Sequence, residues 1–592
     1  MRKRIAVIDR EKCHPNECGN YLCAKLCPVN RAGGDCIYPG DDAGKKARID
    51  ELLCTGCGIC VNRCPFGAIE IINLPETLNK LPVYRYGENM FELYSLPTPL
   101  FGQVTGIVGK NGLGKSTAFK IMANLLKPNL GKWKDPPEFK EVINYFKGTE
   151  MQRFLEKLQA QKIMLSYKPQ QVDLIPKQYK GTVRELLEKI HSGEGKRDNF
   201  NEITAMLTIT PFLDNDLSKI SGGELQRVAI AAAVLKGGNL FLFDEPTSYL
   251  DIKQRINVST FIRSLAQENV APVVIEHDLV ILDYMTDVVN IMYGTEGVFG
   301  IVSGVKSSRE GINSFLEGFL KEENIRFRDH AIKFMKAQET KLGKRFPLVS
   351  WTPLRKVLGN FTLQAEAGTL YKGEIIGIVG ENGIGKTSFV KILAGMMKPD
   401  SGQVNEKISV SYKPQYLETE SDLSVAEFLQ EAITNYQHQL IEPLGLERFY
   451  GQKLSELSGG QLQRIAIAHC LSQQADLFLL DEPSAYLDVE QRLLISKVIK
   501  NIAFERDVSI LVVDHDLMFI DYLSDRLIVF TGEPARNGLL QGPFKMEDGM
   551  NKFLQSLNIT LRRDIHSYRP RINKLDSVKD REQRNEGKWY YS

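Results

Sequence analysis

Two copies of a glycine-rich loop ending in lysine and a hydroxyl residue are the first residues in this chain whose spacing implies chemistry. GKNGLGKST at 109–117 recurs as GENGIGKTS at 380–388, beginning 271 residues later. Each follows a short β-rich run, 104–108 or 375–379, and opens a stretch of helical apolar periodicity, the strand–loop–helix setting of a phosphate loop. Gly109, Gly112 and Gly114, like Gly380, Gly383 and Gly385, let backbone N–H groups cradle phosphates at a helix N-terminus, where the dipole favours anions. Lys115 and Lys386 are expected to reach the terminal phosphates, and Ser116 and Thr387 to offer hydroxyls to Mg²⁺. Asn111, Thr117, Asn382 and Ser388 complete the two expected nucleotide-binding loops.

Further along, Asp244 and Asp481 end the hydrophobic runs LFLFD and LFLLD and are expected to hold the metal and its waters. The next carboxylates, Glu245 and Glu482, can orient or deprotonate the water that attacks the γ-phosphate, and are the expected catalytic groups. His277 and His515 follow β-branched strands 33 and 34 residues after those aspartates. A lone histidine at a strand end is usually structural, but its recurrence in both copies points to contact with the γ-phosphate. Ser221, Gly222 and Gly223, and Ser458, Gly459 and Gly460, begin SGGE and SGGQ motifs, a second polar, glycine-rich anion site opening an LQR helix.

Nine of the ten cysteines lie between Cys13 and Cys64. Cys54, Cys57, Cys60 and Cys64, with Pro65, read C-x2-C-x2-C-x3-C-P, in which three closely spaced thiolates can face one [4Fe-4S] cube. Cys13, Cys18, Cys23 and Cys27, with Pro28, are a looser version of the same design. In two-cluster ferredoxins the fourth cysteine of each run serves the other cluster. That assigns Cys54, Cys57, Cys60 and Cys27 to one cluster and Cys13, Cys18, Cys23 and Cys64 to the other. Cys36 and Cys470 are left over as ordinary cysteines. Four-cysteine zinc sites usually pair two C-x2-C knuckles, and a disulfide framework suits small secreted chains, so both fit less well. Electron transfer and a structural or docking role both remain open for the clusters.

The elements that must position these residues are duplicated too. LSKISGGELQRVAIA recurs as LSELSGGQLQRIAIA, and the SGG and Asp positions of the two copies are 237 residues apart, so the first copy carries 34 extra residues after its loop. Of these, 26 fall before the YKPQ segment, where apolar spacing at Phe139, Val142, Ile143 and Phe146, a break at Gly148-Thr149, and spacing again from Met151 to Leu158 predict a helix–loop–helix. A surface hairpin and a docking device are both compatible with it. At 592 residues and 43% hydrophobic content the chain supports several buried cores. No apolar run reaches the ~18 residues of a membrane helix, and Asp9 to Lys12 interrupt the N-terminus too early for a signal peptide, so a soluble, cytoplasmic protein is expected. A net charge of +2 leaves any RNA contact to local patches. From Arg562 to Ser592 nine basic residues face five acidic ones, an excess suited to phosphate contacts, whereas seven against five between Lys132 and Lys162 argue weakly.

These motifs resemble the ABC ATPase superfamily over roughly residues 80 to 545. The resemblance implies that Ser458 to Gln461 cap the ATP held by Lys115, that Ser221 to Glu224 cap the ATP held by Lys386, and that two ATP molecules close the domains as a head-to-tail pair. It further implies that Gln170 and Gln415 contact Mg²⁺ and sense the γ-phosphate, and that Asp251 and Asp488 are D-loop aspartates. Phe91 and Phe361, 24 and 25 residues before the loop lysines, with Tyr86, sit where an adenine-stacking aromatic is expected.

The two-cluster domain, the single insertion and the basic tail with RPRINK at 569–574 together resemble ABC subfamily E, the ribosome-recycling factor also called RNase L inhibitor. The implied fold is multidomain α/β: a ferredoxin-like two-[4Fe-4S] domain (1–73), a first ABC domain (74–303, with the insertion at about 135–162), a hinge or linker (304–345), a second ABC domain (346–545) and a C-terminal basic hinge segment (546–592). The implied cofactors are two [4Fe-4S] clusters, two ATP or ADP, and Mg²⁺. The implied activity is ATP hydrolysis that drives ribosome splitting. The partners are the small ribosomal subunit, both its RNA and proteins, a release factor or Pelota-like factor, and initiation factors; a monomer is expected. An iron–sulfur electron-transfer or assembly ATPase is the alternative; an importer subunit gives no reason for the clusters.

Overall fold

The computed structural model describes residues 4–8, 13–40, 46–49, 53–55, 57–66, 68–73, 81–87, 91–191, 199–332, 334, 346–405, 408–415 and 423–590. The chain divides into two compact units, one made of residues 1–98, 111–159 and 289–333, the other of 99–110, 160–288 and 334–592.

In the first unit, strand Arg4–Ile8 pairs antiparallel with Ile69–Asn73, and Ile37–Pro39 with Ala47–Ile49. Three one-turn helices, Leu22–Leu26, Pro28–Arg31 and Ile59–Arg63, lie between them. Such short helices come from local chemistry: Pro28 presets φ at the first position of its helix, and Gly58 enters the third in the left-handed region at φ 78°. The core here is built largely from the cysteines themselves, with Cys13, Cys27, Cys36, Cys54 and Cys60 buried beside Ile37, Ala47, Ala68 and Ile69.

The same unit holds helix Lys115–Met122 and the inserted helices Phe139–Tyr145 and Glu150–Gln159. Val142, Ile143, Met151, Phe154 and Leu155 form the buried stripe of the inserted pair, and Gly148 turns between them at φ 83°. The Tyr145 hydroxyl donates to the Leu81 carbonyl at 2.8 Å. Strand Phe299–Val302 runs antiparallel to Val288–Thr295 and parallel to Glu92–Leu93. Within the span read as a linker from sequence, helix Ser308–Glu317 leads into the hairpin Phe319–Leu320/Ile325–Arg326. Residues 333 and 335–345, and with them the charged periodicity approaching Lys344, lie outside the described residues.

In the second unit, strands Leu165–Lys168, Leu240–Asp244, Ala271–Ile275 and Thr105–Gly109 lie side by side in that order, all parallel. The last three are buried at every residue, as befits parallel strands covered on both faces. The second repeat forms an eight-stranded mixed sheet in the order Leu354–Leu358, Phe361–Ala365, Asn537–Lys545, Arg526–Glu533, Ile375–Val379, Ser509–Val513, Leu477–Asp481, Val410–Lys413. Its core joins Ile376, Ile378, Leu479, Leu511 and Val513 to Trp351 and Phe389. The glycine-rich loop therefore leaves the carboxyl end of a central strand, where open α/β sheets place their ligands.

The C-terminal segment adds helix Met546–Leu557, hairpin Leu561–Arg563/Pro570–Ile572 and helix Val578–Asn585. Arg569 is fully buried and pairs with Asp283 at 3.0 Å, and Arg571 reaches Asp283 at 2.5 Å and Asp564 at 3.3 Å. Arg563 pairs with Asp521 at 2.8 Å, to which the Tyr590 hydroxyl also donates. These arginines belong to the basic excess counted above, yet their charges are engaged by carboxylates within the fold; Lys574, Lys579, Arg581 and Lys588 are the exposed basic residues of the segment, Lys574 lying 3.6 Å from Asp287.

Candidate active site

The second glycine-rich loop and its partners lie wholly within the second unit. Gly385, left-handed at φ 92°, starts helix Lys386–Leu393, and a Cβ there would come within 3.0 Å of the Phe361 ring. Lys386 is buried; its ammonium donates to the Gly380 and Glu381 carbonyls at 2.8 and 3.0 Å and lies 3.2 Å from His515 Nε2. Burial pushes its pKa down to about 8, opposed by Glu482, Asp251 and Asp481. Burial, with Lys386 next to it, holds His515 well below the usual histidine range, so the ring is neutral at physiological pH and accepts from the lysine. Thr387 Oγ1 and the Tyr412 hydroxyl donate to Asp481 Oδ2 at 3.2 and 3.4 Å. Burial raises the pKa of Asp481, and it raises that of Glu482 with help from Asp514 and Asp481. Gln415 hydrogen-bonds Glu482, whose Oε1 is 3.7 Å from His515 Nε2. Lys386, Thr387, Gln415, Asp481, Glu482 and His515 are thus gathered at one end of the sheet.

The first repeat's counterparts on this unit have the same geometry. Gln170 Nε2 donates to Glu245 Oε1 at 2.6 Å, and His277 Nε2 is 3.4 Å from that oxygen. The first loop's helical half belongs to the first unit. There Lys115 Nζ donates to Asn111 Oδ1 at 3.4 Å, Ser116 and Thr117 follow on the helix, and Phe91 lies against Gly114 as Phe361 does against Gly385. The Tyr86 hydroxyl is 3.0 Å from Thr117 Oγ1.

Glu245 and Glu482 both adopt φ 46°, left-handed for a non-glycine residue, a strain of roughly 1–3 kcal/mol each that the surroundings must impose. Buried Lys168 and Lys413, together with Gln226 and Gln463 of the LQR helices, donate to the backbone carbonyls at these positions. These four residues carry no ligand-binding signature in the sequence; their signal is that YKPQ and LQR occur in both repeats and that a lysine stands inside a strand.

The two repeats meet within the second unit. Asp251 caps helix Ile252–Ser264 through Oδ1, while its Oδ2 accepts from the Asn382 N–H at 3.0 Å. Asp488 caps helix Val489–Arg506 in the same way. Lys253 pairs with Glu381 at 3.0 Å, and the equivalent pair is reversed in sign, Glu490 with Lys110 at 2.6 Å. Tyr249 and Tyr486 cross edge to face, 6.4 Å apart. Ser221 caps helix Gly222–Leu235 in a capping box with Glu224, and the Ser458 N–H donates to Gln461 at the head of the equivalent helix. Gly222 and Gly223 pack against Tyr249, and Gly459 and Gly460 against Tyr486; a Cβ on Gly460 would stand 2.9 Å from the Tyr486 carbonyl.

In the cysteine domain two cavities divide the thiols. One is lined by Cys13, Cys18, Cys23 and Cys64 with Leu22, Phe66 and Ile69; the other by Cys27, Cys54, Cys57 and Cys60 with Cys36. All ten cysteines are free thiols, and soft sulfur ligands in an apolar pocket suit iron–sulfur clusters. Burial pushes Cys23 and Cys60 up to about 11 and Cys36 to about 12. Cys36, set aside in the sequence reading, is 1% exposed and hydrogen-bonds Cys27 and Cys54.

The sign reversal between Lys253–Glu381 and Glu490–Lys110 favours pairing of unlike repeats, because like repeats would bring lysine to lysine or glutamate to glutamate. Lys110→Glu should therefore raise the ATP concentration for half-maximal hydrolysis about two- to five-fold, and adding Glu490→Lys should restore it. Failure of the double variant to recover would show that the pair does not govern the contact.

Comparison with known proteins agrees with this geometry. The family described as ABC transporter matches residues 101–248 and 363–485, the 4Fe-4S binding domain matches 47–70, and the possible Fer4-like domain in RNase L inhibitor matches 4–35. An ABC transporter ATP-binding protein of Methanocaldococcus jannaschii is 50% identical, covering 99% of this chain and 97% of its own. The translation initiation factor RLI1 of Saccharomyces cerevisiae is 43% identical over 99% and 98%. A solved structure described as a model of ribosome-bound archaeal Pelota and ABCE1 matches with a TM-score of 0.83 at 50% identity, covering all of both chains. A complex of the archaeal ribosomal stalk protein aP1 with the archaeal ribosome recycling factor aABCE1 matches at 0.81 and 49%, covering 86% of this chain and 99% of that one. With similarity of this extent to ABC transporter E family member 1 of Arabidopsis thaliana as well, 42% over 99% and 98%, the chain belongs to the E family of ABC ATPases, the RNase L inhibitor family.

Proposed function

We propose that this chain is a cytoplasmic ATP-driven ribosome recycling factor that binds the small ribosomal subunit and, with a release factor or Pelota-like partner, splits ribosomes into subunits. The observation that carries the reading is the Asp251–Asn382 hydrogen bond, which sets the D-loop of the first ABC repeat on the phosphate loop of the second. Full-length similarity to a protein whose structure is described as ribosome-bound with Pelota supplies the substrate. Among the described residues no helix is long and apolar enough to cross a membrane.

In this reading Lys386 and the loop N–H groups hold the β- and γ-phosphates, and Thr387, Gln415 and Asp481 hold Mg²⁺, which neutralises charge developing on the phosphoryl oxygens. Glu482 orients the attacking water, neutral His515 contacts the γ-phosphate, and Ser221 to Glu224 cap the nucleotide. Lys115, Ser116, Gln170, Asp244, Glu245, His277 and Ser458 to Gln461 are assigned the same roles in the other site. Binding two ATP molecules favours the closed pair and hydrolysis releases it, so the work on the ribosome comes from the difference in nucleotide affinity between the two states. Domain limits at 1–73, 74–303, 304–345, 346–545 and 546–592 belong to the same proposal. Cys13, Cys18, Cys23 and Cys64 are proposed to hold one cluster, and Cys27, Cys54, Cys57 and Cys60 the other; the two cavities support this division.

Sedimentation of two-subunit ribosomes with this protein, a release factor and ATP tests the function. Wild type should yield free subunits, while Glu245→Gln plus Glu482→Gln, with hydrolysis reduced at least about 100-fold, should stay on the small subunit. If neither protein meets ribosomes, the reading fails. Iron analysis tests the ligand sets: Cys60→Ser should fall from about eight to about four irons per chain, and Cys36→Ser should keep about eight. Loss of iron in Cys36→Ser would contradict the assignment.

A further inference from the structure

The two glutamates that position water are the most strained residues in the proposed reaction, and each is flanked by the same two donors. Lys168 and Lys413 end strands Leu165–Lys168 and Val410–Lys413, one residue before the proline that leads into Gln170 and Gln415. Both are 1% exposed. Lys168 Nζ donates to the Asp244 carbonyl at 2.8 Å and to the Glu245 carbonyl at 3.2 Å; Lys413 Nζ donates to Asp481 at 2.7 Å and Glu482 at 3.4 Å. From the other side Gln226 and Gln463 donate to the same glutamate carbonyls at 2.6 Å.

A fully buried ammonium normally seeks a carboxylate, and three act on each of these, Asp244, Glu245 and Glu276 on Lys168 and Asp481, Glu482 and Asp514 on Lys413. In both repeats its hydrogen bonds go instead to the two main-chain carbonyls of the Asp-Glu step. The backbone is thereby pinned with the glutamate in its left-handed conformation, while the carboxylates take other donors: Gln170 at Glu245, Gln415 at Glu482, and Thr387 and Tyr412 at Asp481. The glutamine of the same site follows two residues after the lysine, just past the end of its strand, so the lysine anchors the chain that leads into it.

We infer that Lys168 and Lys413 are positioning residues for ATP hydrolysis: each fixes the backbone of the adjacent Asp-Glu pair, and so the aim of Glu245 or Glu482 at the attacking water, without touching nucleotide. The inference rests on the reading of those glutamates as the hydrolytic groups. A buried lysine that served only the fold would show itself in stability, whereas one that aims a carboxylate shows itself in turnover.

The test is Lys168→Met plus Lys413→Met in the full-length, cluster-loaded protein, read by kcat, ATP affinity and Tm. Methionine keeps the stem and removes the donor. The expected result is a kcat lower by roughly 10- to 100-fold with ATP affinity within about two-fold of wild type, a loss of turnover that persists well below the Tm of the variant whatever the Tm itself does. The same substitutions added to Glu245→Gln plus Glu482→Gln should cause no further loss, since the lysines act through the glutamates. Unchanged kcat, a parallel fall in Tm, affinity and kcat, or a further loss in the glutamine background would each overturn the proposal. If the double variant does not fold, Lys413→Gln alone, read by single turnover, answers the same question. Full hydrolysis by the glutamine variant itself would instead refute the underlying reading of the glutamates.

Discussion

A carboxylate of one ABC repeat accepts a hydrogen bond from the phosphate loop of the other. Asp251 does this at Asn382 while its second oxygen caps its own helix. The amides of a phosphate loop are an anion site, and the protein gives one of them to its own D-loop. Rearrangement of the second loop when nucleotide enters or leaves must be felt at the N-terminus of helix Ile252–Ser264. The pairs Lys253–Glu381 and Glu490–Lys110 and the crossed tyrosines 249 and 486 surround this link. Each is modest, and together they fix which surfaces meet.

Around that link the second site concentrates buried charge. Lys386, Asp481, Glu482 and His515 are each pushed toward their neutral forms by burial, so the free energy of charging them falls to whatever binds. A polyphosphate with Mg²⁺ brings both signs of counter-charge into a place where they interact strongly. The glutamate's left-handed backbone, braced by lysine and glutamine, is the geometric half of the same arrangement. In the proposed mechanism, rigidity in the strands and strain at one residue aim a single water.

The residues proposed to touch ligands are legible because they come in motifs that occur twice. The phosphate loops, the Asp-Glu steps, the histidines and the cysteine runs needed no tertiary information, and the division of thiols between two cavities follows their order in the chain. What escaped notice depends on distance in sequence. Asp283 meets Arg569 and Arg571 across more than 280 residues, so a tail whose basic excess reads as suited to phosphate contacts turns these two arginines inward. Cys36 reads as spare, yet it lies against Cys27 and Cys54. Lys168 and Lys413 stand within the repeated YKPQ segment, but what a strand lysine donates to is settled only by the neighbouring strand.

Hydrogen exchange tests most directly the claim that nucleotide at one repeat is read by the other. With Glu482→Gln and ATP, the amides of 380–388 and of the D-loop segment 248–256 should gain protection together, and Asp251→Ala should abolish the gain at 248–256. Protection confined to 380–388 in the protein with Asp251 intact would contradict the account, because the phosphate loop would then take up nucleotide unnoticed by the first repeat.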